Sequence, residues 1–321
     1  MILIASQQNE TSTHQVMDWL EYLGSEFQKI NAIDISNDLN IQISNEKIET
    51  HFINTDLNCS SQNAFWYRRW DFEVLMKKYQ TKENSVQNNI ELGCISNYIH
   101  FLFQKFPKIN SIQDIDNKLI ELFVAKEMGL SIPNSLVTNE KSHLQTFYNQ
   151  YKQIITKPLS AHISKVINRE IFLSYTSEVG QDTINKLEEQ FFPSLFQEKI
   201  EKEYEIRIFF IDDQFYPMAI FSQNDPQTQV DFRQYNIEKP NRTVPYKLPE
   251  EIQTKLKDFK NKMNINSGSI DMIKTKSGDY VFIELNPIGQ FGMVSYPCNY
   301  KIEKIIAQKL IQYEKENNNS N

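Results

Sequence analysis

The sequence predicts a mixed α/β (α+β) fold with two or three subdomains, and three observations support this. Residues 1–5 form an apolar run before a segment with helical spacing, which is typical of a buried strand followed by a helix. Within residues 204–211, the apolar side chains of Tyr204, Ile206 and Ile208 alternate with Glu205 and Arg207, as in a strand with one polar face. Residues 268–292 contain two alternating arms around a turn at 276–279, which predicts a β-hairpin.

The composition excludes several classes of protein. The net charge is −7, with 41 acidic and 34 basic residues, so no overall positive field would attract nucleic acid. No apolar run approaches the roughly 20 residues of a membrane span, and no export signal is visible. Cys59, Cys94 and Cys298 are isolated, which argues against a disulfide framework and a thiolate zinc site. We therefore expect a cytoplasmic protein without nucleic-acid or membrane partners.

Changes of pattern along the chain predict its domain boundaries. A mostly helical segment over 84–106 is stopped by Pro107, and 111–116 has the character of a linker. Asp116 is a candidate cap for the next helix, and Gly129 is its expected stop. The predicted divisions are an N-terminal domain (1–112), a central subdomain (113–196), a C-terminal subdomain with the hairpin (197–313) and a disordered tail (314–321).

The hairpin carries the strongest candidate site. A turn centred on Ser277 and Gly278 places Asp271 opposite Glu284, and strand alternation places Asn286 on the same face. Directly opposed like charges are destabilising, so this face favours a bound cation, and an all-oxygen donor set suits Mg²⁺. The alternative is a solvated polar face. The other face is predicted to be core and carries Val281, Ile283 and Leu285.

Basic residues near predicted strand ends are candidate anion-binding groups. Arg68 and Arg69, in the motif WYRRW, can bind carboxylates of a substrate, or can pair with acids of the following helix. Lys157 ends an apolar strand and offers a fixed charge for phosphates. Arg207 faces away from the aliphatic side of its strand, where it can form a cross-strand salt bridge.

These motifs together resemble a known family. The segment ELNPIGQF, with Asp271 thirteen residues before its Glu, resembles the metal-binding end of the ATP-grasp fold. With WYRRW and DFRQYN, it resembles the peptide maturases that make graspetides, which are microviridin-like ω-ester and ω-amide macrocycles. The grasp-with-spasm type is the most similar. The resemblance implies an ATP-grasp fold preceded by an α/β pre-ATP-grasp domain.

The resemblance also implies roles for particular residues, with ATP and Mg²⁺ as cofactors. It implies Mg²⁺ ligands at Asp271, Glu284 and Asn286, and an adenine hinge whose backbone at Lys199 and Ile200 reads the base. Arg207 and Arg233 would stabilise the transferred phosphate. The implied ATP-binding residues are Lys118, Lys157, Gln197, Glu198, Lys199, Ile200 and Glu205, and those facing a peptide are Arg68, Arg69 and Gln290.

Two features moderate these implied roles. Lys118 lies near a predicted helix start, where a lysine is commonly just solvated. The chain departs from the pattern of many ATP-grasp enzymes, since it has no glycine between Gly129 and Gly180, where they carry a glycine-rich flap. The loop there contains His162, which we expect to be a polar surface residue.

The implied activity is ATP-dependent cyclisation of a ribosomal precursor peptide, made of a leader and an acidic core. The enzyme would phosphorylate Asp or Glu side chains, and Thr, Ser or Lys side chains would attack the acyl phosphates. The family also implies a homodimer. The alternatives are a stand-alone carboxylate–amine ligase, a kinase on the same fold and a nucleotide-dependent binding module. The sequence identifies no general base.

Overall fold

The computed structural model describes residues 1–31, 39–46, 48–52, 55–56, 64–70, 85–110, 117–159, 164–167, 170–173, 175–234 and 236–319. Cys59, Asp116 and His162, which the sequence analysis singled out, lie outside these residues. The chain divides into two compact units, 1–114 with 301–321, and 115–300. The predicted mixed α/β fold is confirmed. Across the described ranges, every helix falls short of the length and apolarity that a membrane crossing requires.

The first unit contains a parallel sheet in the order β2-β1-β6-β7 and a small antiparallel sheet in the order β3-β4-β5. Its strands are β1 (Ile2–Ser6), β2 (Phe27–Asn31), β3 (Leu39–Ile43), β4 (Ile48–Phe52), β5 (Thr55–Asp56), β6 (Ala64–Arg68) and β7 (Lys108–Ile109). Its helices are α1 (Thr11–Tyr22), α2 (Ser85–Phe103) and, from the end of the chain, α8 (Ile302–Asn319).

The C-terminal helix differs from its prediction in two ways. It packs against α1 and β6 of the first unit, whereas residues up to 313 were predicted to belong to the C-terminal subdomain. It also continues through 314–319, which were predicted to be disordered because of their polar composition. A specific contact accounts for part of this order, since the Glu314 carboxylate pairs with the amino group of Met1.

The second unit contains two antiparallel sheets and a separate hairpin. The sheets have the orders β12-β9-β13-β8 and β16-β15-β14-β17-β18, and β10 pairs with β11. Its strands are β8 (Ser135–Glu140), β9 (Ile154–Lys157), β10 (Ser164–Ile167), β11 (Glu170–Leu173), β12 (Ser177–Val179), β13 (Gln190–Glu198), β14 (Lys202–Ile211), β15 (Gln214–Phe221), β16 (Arg242–Pro245), β17 (Ser267–Thr275) and β18 (Tyr280–Asn286). Its helices are α3 (Lys118–Glu127), α4 (Lys141–Tyr151), α5 (Gln181–Lys186), α6 (Glu250–Lys262) and α7 (Gly292–Cys298).

The five-stranded sheet has one apolar and one polar face, as the alternation in β14 predicts. Ile206, Ile208 and Phe210 pack with apolar residues of α3 and α6 in one core cluster. The intervening residues Glu205 and Arg207 therefore lie on the opposite face of the sheet. This second face carries the candidate site.

The N-cap of helix α3 lies one residue after its predicted position at Asp116. The side chain of Asn117 accepts hydrogen bonds from the amides of Leu119 and Ile120, at 3.0 and 3.4 Å, so Asn117 is the N-cap. The amide of Lys118 donates to the Leu159 carbonyl at 3.2 Å, which fixes the first turn of α3 next to the end of β9.

Candidate active site

The hairpin β17–β18 has the predicted register at its polar end. Asp271 pairs with Glu284, and Ser269 pairs with Asn286. The side-chain nitrogen of Asn286, Nδ2, lies 3.4 Å from Asp271 Oδ2, so these two side chains meet on one face of the sheet. Gly278, in the turn, has a φ of +97°, as a tight turn at this position requires.

The core face of β18 differs from the prediction because the strand contains a β-bulge. Asp271 pairs with Glu284, but Met272 pairs with Phe282, so Ile283 is an extra residue. Because of this extra residue, side chains on the N-terminal side of the bulge face opposite to the predicted direction. Phe282 therefore lies in the core with Leu285. Ile283, predicted to be core, instead lines a cavity beside Glu284.

Glu284 is the centre of a cluster of cations. Its Oε2 lies 3.7 Å from Lys118 Nζ and 3.8 Å from Lys157 Nζ, and its Oε1 lies 3.6 Å from Arg233. Burial disfavours the carboxylate, but Lys157, Lys118 and Arg233 outweigh burial and hold the pKa of Glu284 below its usual value. The predicted phosphate-binding lysines thus meet at one predicted metal ligand.

Asp271 has its own counterion on the neighbouring strand. Arg207 pairs with Asp271 across β14 and β17, and its Nη1 lies 3.0 and 2.9 Å from the two carboxylate oxygens. The cross-strand salt bridge considered for Arg207 is therefore present, and its partner is a candidate metal ligand. Burial raises the pKa of Asp271, and this effect exceeds the opposing effect of Arg207.

The donor set fits a hard divalent cation that also binds other oxygen ligands. Asp271, Glu284 and Asn286 offer two carboxylates and one amide oxygen on a single face. In the described part of the chain, no group of three or more His, Cys, Asp or Glu side chains could hold a metal ion. Mg²⁺ commonly uses only one or two carboxylates and completes its shell with water and phosphate oxygens. The residues present therefore suit Mg²⁺ shared with a nucleotide.

An open cavity connects this face with the predicted hinge. It is lined by side chains from β9, β13, β14, β17 and β18 and from the loop after β15. Among its lining residues are Lys157, Gln197, Glu198, Ile200, Glu205, Arg233, Asp271 and Glu284. Residues predicted separately for adenine, phosphate and metal are thus brought together around one space.

The hinge side chains are engaged within the protein. Glu198 accepts hydrogen bonds from the backbone and side-chain nitrogens of Asn134, both at 3.1 Å. Gln197 donates to Ser135 Oγ at 2.8 Å. The amide of Lys199 donates to the Gln153 carbonyl at 2.9 Å, so its N–H is committed to the protein. Of the two backbone groups of Lys199 that were predicted to read adenine, the carbonyl group therefore remains for this role.

Lys202 and Asp231, which the sequence analysis missed, each form an ion pair with a predicted site residue. Lys202 is buried and pairs with Glu205, which also accepts a hydrogen bond from Ser222. Burial raises the pKa of Glu205 despite Lys202. Asp231 binds Arg233 through two contacts of 2.8 and 2.7 Å and so directs it. The acid in DFRQYN is the sequence signal of the Asp231–Arg233 pair. The Lys202–Glu205 pair has no such signal, because i and i+3 side chains of a regular strand face opposite sides and these two meet where the register shifts between Lys202 and Tyr204.

Most side chains of the motif WYRRW pack against other residues of the first unit. Trp66, Tyr67 and Trp70 are buried in the first unit, where Trp70 contacts the His100 ring. Arg68 is only 2% exposed and binds Ser12 Oγ and Glu10, at 3.1 and 3.5 Å. Among the described residues, the acid that pairs with Arg68 is thus Glu10, on the segment leading into helix α1.

Arg69 and Gln290 are the more accessible of the three residues predicted to face a peptide. The Arg69 side chain is 34% exposed and lies 3.8 Å from Glu10. Gln290 is exposed beyond the end of β18. The contact of either residue with a peptide stays a prediction.

Gly289 lies close against Ser269, the residue that pairs with Asn286, and its substitution gives a first prediction. A Cβ atom at Gly289 would lie 2.2 Å from Ser269 Oγ and 2.8 Å from the Ser269 nitrogen. We expect Gly289→Ala to lower the free energy of unfolding by about 1–3 kcal/mol, the usual range for overpacking. Denaturant unfolding measures this.

The matched control is Gly180→Ala, where no atom lies within 4 Å of the added Cβ and φ is −99°. Equal losses of stability in the two variants would contradict the close packing at Gly289.

Comparison with known proteins defines the class of this site. The family model described as a RimK-like ATP-grasp domain matches residues 115–313. The chain therefore belongs to the RimK-like ATP-grasp family, an enzyme class of ligases on a nucleotide-binding fold. The predicted resemblance to ATP-grasp enzymes is confirmed. A search among curated proteins found no significant match to this chain.

Solved structures extend the similarity beyond the ATP-grasp domain. The macrocyclase MdnC from Microcystis aeruginosa MRC, bound with precursor peptide MdnA, is 26% identical, with a TM-score of 0.82 over 97% of this chain and 99% of that one. A RiPP-associated ATP-grasp ligase from Chryseobacterium gregarium, in complex with ADP and a leader and core peptide, is 23% identical, with a TM-score of 0.83 over 97% and 96%. The ATP-grasp ligase PsnB with minimal precursor, Mg and ADP is 17% identical, with a TM-score of 0.74 over 98% and 97%. The last two support the fold alone, and all three agree with the predicted similarity to peptide maturases.

Proposed function

We propose that this protein is an ATP-dependent macrocyclase of a ribosomally made precursor peptide. The observation that carries the proposal is the similarity to the peptide-bound macrocyclase MdnC over nearly the full length of both chains. The opposed carboxylates of Asp271 and Glu284, with lysines and arginines around them, supply the charges that phosphoryl transfer needs.

The reaction has two steps. A carboxylate oxygen of a peptide Asp or Glu takes the γ-phosphoryl group of ATP, which leaves ADP and an acyl phosphate. A Thr or Ser hydroxyl then attacks the acyl carbon and releases inorganic phosphate, giving an ω-ester, while a Lys amine gives an ω-amide. The hydroxyl or amine loses its proton, so each ring lowers the peptide mass by one water.

Different residues of the proposed site have different roles in this reaction. We assign adenine to the hinge at 197–200 and the ribose or the metal side to Glu205. Lys118 and Lys157 hold phosphates, while Arg207 and Arg233 stabilise the charge that moves in the first step. Mg²⁺ held by Asp271, Glu284 and Asn286 would neutralise phosphate oxygens. Arg69 and Gln290, the accessible members of the set predicted to face a peptide, are proposed to face its acidic core.

The test uses a candidate precursor encoded beside the gene, with a Thr/Ser- and Asp/Glu-rich C-terminal half. The purified protein is incubated with this peptide, ATP and Mg²⁺, and intact mass is measured. Losses of one or more waters support the macrocyclase. A gain of phosphate would favour the kinase, and ATP hydrolysis with an added small carboxylate and amine, without peptide change, would favour a small-molecule ligase. An unchanged peptide and unconsumed ATP would favour a binding module.

We also propose that the protein forms a homodimer in the cytoplasm and that α2 contributes to the contact. Val86, Ile90 and Phe101 lie on one side of α2 and are 72%, 56% and 57% exposed. Exposed Cys94 lies on the same stripe. A stripe of exposed apolar side chains of this kind is typical of a protein–protein contact site.

Light scattering is expected to give twice the 37.9 kDa mass of one chain, and Phe101→Glu is expected to reduce it to one chain. Exposed Phe192→Glu, in the second unit, is the control and should leave the mass unchanged. A wild-type mass of a single chain at working concentration would rule out the dimer.

A further inference from the structure

Strand β18 is an edge strand, and its outer backbone groups are bound by groups outside the sheet ladder. The Phe282 amide donates to the Ser131 carbonyl at 2.8 Å. The Ile283 carbonyl accepts from Lys157 Nζ at 3.3 Å. The Leu285 amide donates to Glu121 Oε2 at 2.9 Å. These three contacts surround Glu284, so the backbone at this residue is fixed from outside the sheet.

Glu121 is the unexpected member of this set. It lies in the first turn of α3, three residues after Lys118, and is 0% exposed. Lys118 reaches Glu284 while Glu121 reaches the next amide along the strand, so one helical turn holds two consecutive residues of β18. The backbone between the predicted ligands Glu284 and Asn286 is therefore held by α3.

We propose that Glu121 is a positioning residue for the nucleotide–metal site: by accepting the hydrogen bond of the Leu285 amide, it fixes the backbone between Glu284 and Asn286. This inference rests on the proposed function, because it assumes a nucleotide and a metal at this face. The simpler alternative is an ordinary acidic residue in the first turn of a helix, where it would stabilise the helix alone.

The test compares Glu121→Leu, which removes both the acceptor and the charge, with Glu121→Gln, which keeps an acceptor oxygen. Glu127→Gln, exposed at the other end of α3, is the matched control. Calorimetry measures binding of ADP to the full chain, with and without Mg²⁺ and without any peptide. We expect Glu121→Leu to weaken Mg²⁺-dependent ADP binding by about 10–100-fold, the usual cost of losing a residue that orients metal ligands. Glu121→Gln should lose less, and Glu127→Gln should match the wild type.

The magnesium dependence separates positioning from helix stability. A residue that orients two metal ligands should affect ADP binding mainly when Mg²⁺ is present, and Glu121→Gln, which keeps an acceptor for the Leu285 amide, should recover part of that binding. A residue that only stabilises α3 would change ADP binding alike with and without Mg²⁺.

The outcomes decide between the two proposals. Wild-type Mg²⁺-dependent binding in Glu121→Leu, or an equal loss with and without Mg²⁺, would overturn the role of Glu121, even if peptide cyclisation is observed. A loss confined to Mg²⁺-dependent binding in Glu121→Leu, and smaller in Glu121→Gln, would support it, even if no candidate peptide is cyclised. If Glu121→Leu shows no cooperative unfolding transition, Glu121→Gln decides alone: weaker binding only with Mg²⁺ supports the role, and wild-type binding overturns it. Failure of the wild type to bind ADP with Mg²⁺ would overturn both proposals.

Discussion

Glu284→Gln is expected to abolish ATP-dependent turnover while the chain still folds. The substitution keeps the size of the side chain but removes the charge shared by Lys118, Lys157 and Arg233. It also replaces an anionic metal ligand by a neutral one. We expect a rate loss of about a thousandfold or more, on the scale of removing a group that stabilises charge in the transition state.

The measurement is single-turnover cyclisation, or ADP release, with circular dichroism as the folding check. Asp279→Asn is the control because Asp279 is an exposed acid in the turn of the same hairpin. Unpaired cations in the site should also lower the stability of Glu284→Gln without nucleotide, since breaking a buried ion pair is destabilising. A Glu284→Gln enzyme with the wild-type rate would refute the metal assignment.

Lys157→Ala and Arg233→Ala are expected to fail at different stages. Lys157 is 4% exposed in its side chain and binds both Glu284 and the Ile283 carbonyl, so it belongs to the floor of the cavity. Arg233 is 32% exposed, is held by Asp231 and lies on a loop rather than on the sheet. We expect Lys157→Ala to lose ATP affinity. Arg233→Ala should bind ATP nearly normally and cyclise slowly, because its charge is most useful once the phosphoryl group moves.

Each loss is expected to be about 2.7–4 kcal/mol, the scale of one lost charge contact at a reacting oxygen. Calorimetry of ATP binding and single-turnover cyclisation on both variants separate the two effects. Arg242→Ala, an exposed arginine on β16, is the control. If Arg233→Ala loses ATP binding as badly as Lys157→Ala, the loop belongs to the nucleotide site rather than to the acceptor side.

The sequence predicts the polar end of the hairpin well because that part depends on local rules. The turn at Gly278 and the two-residue period of a strand together place Asp271 opposite Glu284. The bulge at Ile283 was missed because Val281, Phe282 and Ile283 are all apolar, so the sequence does not show which of them faces the core. Only the pairing with Met272 reveals the extra residue.

Contacts between distant parts of the sequence could not be predicted. Arg68 is buried by Ser12 and Glu10, which belong to another element, so its motif alone favoured neither binding nor structure. Glu121 meets the Leu285 amide although 164 positions separate them. The disorder predicted for 314–319 came from composition, which does not contain the contact between Glu314 and Met1.

The return of the C-terminal helix to the first unit has a consequence for synthesis on the ribosome. Strand β1 is made first, yet α8, with buried Ile302, Ile306 and Leu310, packs against elements of that same unit. Residues 115–300 form a contiguous unit, so their contacts are all available before α8 emerges. Domains commonly complete their folding from the N-terminus during translation. Here we expect the reverse order, because the unit formed by 1–114 and 301–321 can complete its core only after 115–300 has been synthesised.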